Sequence, residues 1–226
     1  MAKTIENLFS FLGTYSPVLP PFLLIILTNV ALKSKVLRVV SLYSLIELFT
    51  NLAANEISPK GIIFLYSVFT VFEYALFAWV FYLLIENSRF KNLVVVASLL
   101  FAAFWIIYKL YGKHQNLDSI PIGVETILIL TFAFIFLFEQ VENLAGKLLY
   151  QRYSFWITSG ILIYLAGSFF SYLFSNELDE RTLAFFWTFT NICSTFKNVL
   201  FLIAIGIYNR DLSTISRPRS LAFKSM

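Results

Sequence analysis

Residues 62–85 read IIFLYSVFTVFEYALFAWVFYLLI, and the only charged side chain among them is Glu73. A hydrocarbon core about 30 Å thick is crossed by roughly 20 helical residues. Inside it every backbone amide needs a partner from its own segment, which an α-helix supplies. The apolar residues do not alternate as a half-buried strand would require, so run length decides for helix.

Six further runs qualify on the same ground. They cover 16–32 (SPVLPPFLLIILTNVAL), 36–54, 93–111, 122–140, 154–174 and 184–208. In the first, Pro17, Pro20 and Pro21 suit an opening turn and a kinked start. The second is the least apolar and the weakest member of the set. The expected fold is all-α: a polytopic integral membrane bundle of seven transmembrane helices over 1–208, followed by a basic tail at 209–226.

Composition agrees. Of 226 residues 59% are hydrophobic and 13% charged, with mean hydropathy +0.78, outside the norm for a soluble domain. Lys3 and Glu6 precede the first run and no A-x-A cleavage site follows it, so it is expected to be retained. No loop exceeds about a dozen residues, which leaves no room for a folded soluble domain between spans.

The basic residues are scattered among short links, a pattern that fits membrane orientation rather than nucleic acid. Lys33, Lys35, Arg38, Arg89, Lys91, Lys147, Arg152, Arg210, Arg217, Arg219 and Lys224 fall after odd-numbered spans. Only Lys3, Lys60, Lys109, Lys113 and Arg181 fall on the other side. The expectation is an N-terminus outside, a C-terminus in the cytoplasm, and a multi-pass cell-membrane protein, with the asymmetry suiting a bacterial inner membrane.

Charges at bilayer depth cost roughly 2.5–3.5 kcal/mol each on insertion scales, so they are the most informative residues. Tyr43, Glu47 and Asn51 recur every four residues and share one helix face. Tyr66, Thr70 and Glu73, four and then three residues apart, likewise share one face in the third span, and Thr190, Asn191, Ser194, Lys197 and Asn198 form a stripe within TNICSTFKNVLF. Counted from the outer ends, Glu47, Glu73 and Lys197 lie about 7, 11 and 13 residues in, at about 1.5 Å per residue. They are expected to meet in one outward-reachable cavity among helices 2, 3 and 7. The binding candidates are Tyr43, Glu47, Asn51, Glu73, Asn191, Ser194, Lys197 and Asn198.

Two acids and one base leave a carboxyl in excess, which an apolar interior favours as the neutral acid. Read structurally, Lys197 pairs with one glutamate and the set merely ties three helices together. Read functionally, the surplus acid takes up a proton or small ligand.

Weaker candidates have plainer readings. Glu125 suits a solvated acid at a helix start, and Glu139 and Glu142 an interfacial end. Gly160, Gly167 and Ser171 suit close helix packing. Cys193 is expected to be a small buried hydrophobe, and His114, in the link KHQNLDSIP, a solvated residue. VENLAGKLLYQRY (141–153) is a candidate interfacial helix with Tyr150 and Tyr153 at headgroup level. SNELDERTL (175–183) reads as an exposed loop, and RDLSTISRPRSLAFK as a tail lying on anionic headgroups. No HExxH, Walker loop, Gly-rich fingerprint or pair of aspartates in distant spans occurs. Neither catalysis nor a metal site is expected.

In overall span layout, in FWITSGILIYLAG (155–167) and in FKNVLFLIAIGIY (196–208), the chain resembles the seven-helix membrane input regions of some bacterial sensor histidine kinases. None of these is a specific motif, and no functional residue is carried over. No phosphoacceptor or nucleotide-binding segment follows Tyr208, so the resemblance implies a sensor that signals through a separate cytoplasmic or membrane partner. Lys197 in the seventh span and Glu73 in the third also invite comparison with microbial rhodopsins, where such a lysine carries retinal. Here FEYALFAW (72–79) replaces the Arg-Tyr-x-Asp-Trp pattern and Cys193 the aspartate four residues before the lysine, which argues against a retinal Schiff base.

The expected function is therefore a receptor or sensor for a small ligand or proton. A small solute or proton-coupled transporter and a membrane-complex assembly subunit are the alternatives. The absence of an internal repeat weighs against the usual transporter architectures.

Overall fold

The computed structural model describes residues 2–111, 119–142, 148–174 and 179–216, all-helical apart from short links. The helices are α1 (Ala2–Tyr15), α2 (Leu19–Ile26), α3 (Thr28–Lys33), α4 (Lys35–Ala54), α5 (Pro59–Leu84), α6 (Ser88–Tyr111), α7 (Ser119–Glu142), α8 (Tyr153–Leu173) and α9 (Glu180–Ser216). Among the described residues seven segments are long and apolar enough to cross a membrane, and the first of them runs from Glu6 to Ile26.

That first span departs from the expected 16–32. Pro17 sits in a 3-10 turn at Ser16–Val18, and Pro20 and Pro21 open α2. A proline without an N–H is tolerated in a first turn, so the cluster makes a joint between two helices rather than a beginning. The apolar stretch before it, α1, packs on α9 and α4. Past Ile26 the chain bends at Leu27 (φ −96°, ψ 61°), and Ser34 caps α4 by accepting the Leu37 N–H at 3.3 Å.

The seventh span is longer than 184–208. α9 takes in Glu180–Leu183, expected as loop, and runs on through 209–216 of the expected tail. Asp179 accepts the Thr182 N–H at 3.2 Å and so starts the helix. Residues 175–178, 217–226 and His114 lie outside the described residues. In the candidate interfacial segment only a 3-10 turn, Leu149–Gln151, precedes α8, and 143–147 are not described. Tyr150 is exposed and Tyr153 packs edge-on against Tyr208.

Large apolar side chains cover much of the exterior, and charged ones lie inside. Leu110, Ile25 and Leu99 are 73%, 72% and 67% exposed, whereas Glu47, Glu73, Glu125 and Lys197 are buried. Water would reject that arrangement; a bilayer selects it.

α8 and α9 pack closely through the small-residue face. A Cβ on Gly160 would come within 3.2 Å of the Lys197 carbonyl, and one on Gly167 would strike Cys193 Sγ. Cys193 is a free, buried thiol. Glu139, expected at an ordinary interface, is 5% exposed and accepts the N–H groups of Glu86 (2.9 Å) and Asn87 (2.6 Å). It fastens the α5–α6 link to α7, satisfying amides that no helix can serve.

Candidate functional site

The four-residue spacing of Tyr43 and Glu47 turns both toward α5 and α9. Lys197 Nζ donates to Glu47 Oε1 at 2.7 Å and to Tyr43 Oη at 2.7 Å. Tyr43 in turn donates to Glu73 Oε1 at 2.8 Å, and Ser194 donates to Glu47 Oε1 at 2.7 Å. The ammonium also lies 3.8 Å from the centroid of the Tyr164 ring, with the Tyr43 ring at 4.5 Å. Two of its protons thus meet oxygens, and the π-face of Tyr164 faces the same cation.

Glu47, Glu73 and Lys197 therefore do meet, with Tyr43 as the hydroxyl between Lys197 and Glu73. The geometry differs from the expected open cavity. Lys197 is 0%, Glu47 4% and Glu73 7% exposed, so the network is closed. α1 covers the neighbouring seam: Asn51 donates to the Gly13 carbonyl at 3.5 Å, and a Cβ on Gly13 would strike Asn191 Oδ1 at 2.5 Å.

Three expected members lie on that seam rather than in the network. Asn51 and Asn191 are half-buried against α1, and Asn198, 0% exposed, donates to Ser16 Oγ at 3.0 Å. Seven residues separate Asn191 from Asn198, nearly two turns, so both face the first span while Ser194 and Lys197 face Glu47. One polar stripe serves three interfaces. Thr190, at its end, donates to Ser171 Oγ on α8 at 2.8 Å.

Two residues escaped the sequence reading. Tyr164 lies beneath Lys197, with its ring centroid 3.8 Å from the ammonium, and within electrostatic range of Glu73. Glu125, expected to be solvated, is 1% exposed, and neither carboxylate oxygen has a hydrogen-bond partner among the described residues. α7 begins at Ser119, which places Glu125 nearly two turns inside, on the face that also buries Ile122, Ile129, Phe132 and Phe136. That 3–4–3–4 spacing, extended back through Ile122, is the signal that would have found it. Glu125 lies within electrostatic range of Glu73 and Tyr164.

Among the described residues, and apart from Glu139 at the far end of α7, the interior around Lys197 thus holds three carboxyls, one ammonium and tyrosine hydroxyls contributed by α4, α5, α7, α8 and α9. The direct ion pair takes one acid, which leaves two to be neutralised by protons or by a bound cation. Among the described residues no three His, Cys, Asp or Glu side chains cluster as a metal site would require. Seven apolar spans around a buried charged network define a multi-pass helical membrane protein. No family model, curated protein or solved structure matches the chain.

Proposed function

We propose that this protein is a sensor or receptor of the cell membrane, N-terminus outside and C-terminus cytoplasmic, in a bacterial inner membrane. Uptake of a proton or small ligand at the Glu47–Lys197–Tyr43–Glu73 network changes its bonding and biases one helix arrangement over another. A partner protein reads the change.

The observation that carries this reading is the continuity of α9. Lys197, held by Tyr43 and Glu47 of α4, stands on a helix that runs unbroken to Ser216. That is 19 residues, or about 28 Å at about 1.5 Å per residue. Any change in how Lys197 is held is delivered by a rigid rod to the end of the bundle. The closed network also suits a site that binds without conducting.

The alternative is a proton-coupled carrier. It draws on Glu125, which with Glu73 and Glu47 would place relay acids in three spans. Reconstitution separates the two. In liposomes carrying a pH-sensitive dye, a sensor gives no proton or solute flux, while a fluorophore at position 213 responds to a change of pH or ligand. Flux abolished by Glu73→Gln identifies the carrier instead. If Glu47→Gln, Glu73→Gln and Lys197→Met all respond like the parent, the network is structural only. A stoichiometric membrane partner whose loss exposes the seam would then favour the assembly-subunit reading.

A further inference from the structure

Two grooves flank one ridge on the outer surface of α4. The first, of about 320 Å³, is lined by Lys35, Arg38, Val39, Leu42 and Trp79. The second, of about 600 Å³, lies against α2 and is lined by Pro21, Leu24, Ile25, Ser41 and Leu45, again with Arg38 and Leu42. Arg38 therefore heads both grooves, and Leu42, one turn deeper, divides them. Each channel is apolar below a cationic mouth.

We propose that this surface binds one anionic diacyl phospholipid, its headgroup phosphate at Lys35 and Arg38 and its two acyl chains straddling Leu42. Charge complementarity selects the headgroup. Lys35 and Arg38 are exposed, and among the described residues neither is paired with an acid. Both stand in the first turn of α4, where the helix dipole disfavours cations and favours an anion. A phosphate there is met by two side-chain charges in the favourable field of the helix start, whose Leu37 N–H is already taken by Ser34.

A second observation comes from Ser41. It is 5% exposed, its hydroxyl has no hydrogen-bond partner among the described residues, and it lines the larger groove. It stands three residues below Arg38, about 4.5 Å deeper at about 1.5 Å per residue. A phospholipid places its ester carbonyls just below its phosphate. The orphaned hydroxyl is thus positioned to donate to an ester carbonyl, which satisfies the donor and fixes the lipid's depth.

The test uses the full chain in phosphatidylcholine nanodiscs containing a minority of phosphatidylglycerol, with retained lipid counted by native mass spectrometry. The parent should retain one phosphatidylglycerol in preference to phosphatidylcholine. Lys35→Gln with Arg38→Gln should lower that retention roughly thirty-fold, from about 1 kcal/mol per basic residue. Ser41→Ala should lower it roughly five-fold, as befits one lost hydrogen bond. Arg89→Gln with Lys91→Gln, an equal loss of charge elsewhere, should leave it at the parental level. Equal retention of phosphatidylcholine, or parental retention by both the double variant and Ser41→Ala, overturns the proposal. So does displacement by glycerophosphoglycerol at equal concentration, which would mean a simple anion site.

Discussion

The second and fourth spans invert what a soluble protein would do. α4, the least apolar run, has half of its membrane window buried, whereas α6, an almost uninterrupted apolar run, has 11% buried. Lipid tails are as apolar as leucine, so no hydrophobic force draws α6 inward. Tyr43 and Glu47, in contrast, have nowhere else to go. α7, as apolar as α6, is nonetheless half buried, so apolarity alone does not place a span; charged groups inside apolar runs do mark the interior, and that difference tells which substitutions matter.

The largest effect should come from breaking the ion pair. Lys197→Met leaves Glu47 buried without a counter-charge, which costs about 3–5 kcal/mol. Thermal unfolding in detergent should show a steep drop, and Glu47→Gln with Lys197→Met together should recover most of it. A single Lys197→Met variant as stable as the parent would sink the claim that the pair organises the interior.

Next in size is the α8–α9 contact. Gly167→Ala drives a methyl group into Cys193 Sγ and should cost about 1–3 kcal/mol by overpacking. Adding Cys193→Ala should restore much of that. If the second change gives no relief, the two helices are not apposed at this point.

The comparison sharpens further with apolar residues alone. Phe136 is 1% exposed and faces Phe81, with ring centroids 6.5 Å apart. Phe136→Ala should cost about 2 kcal/mol, below the roughly 3–5 kcal/mol of a soluble core, because lipid removes the transfer term and leaves only the cavity. Leu99→Ala, on the bare face of α6, should stay within about 0.5 kcal/mol. Equal losses would mean that α6 is covered by something in the measured sample.

The smallest effect concerns an acid in water. The hydroxyl and N–H of Thr182 hold the Asp179 carboxyl below its ordinary range. A depressed folded value means that the cap is present at neutral pH and is lost as pH falls through that value. The protection of the Thr182 amide, relative to the intrinsic exchange rate at each pH, should therefore fall only in acid, with the rest of α9 unchanged. Protection independent of pH would show that Asp179 does not cap the helix as a carboxylate.

Much of this was legible in the residues, and the exceptions share a cause. Tyr43, Glu47, Ser194 and Lys197 could be matched because polar groups in long apolar runs must turn inward. Glu125 was misread because a position near the end of a run looks solvated until the neighbouring helices are in place. The prolines at 17, 20 and 21 looked like a start because proline chemistry is the same at a helix beginning and at a joint. Asn191 and Asn198 were grouped with Lys197 because a stripe on one helix does not say how many neighbours it faces.

The sequence by itself determined seven apolar spans and the polar residues that had to be sheltered within them. Both follow from local properties: about 20 residues cross about 30 Å, and a charge in lipid is costly wherever it falls. Only the tertiary structure decided that Tyr43 bridges Lys197 to Glu73, that Tyr164 lies beneath the ammonium, that Glu125 is enclosed and that α1 shuts the seam. Those outcomes depend on the rotation and spacing of helices remote in sequence, set by close contacts such as Gly160 against Lys197 and Gly13 against Asn191. A pattern read along one helix carries no record of its neighbours' rotation.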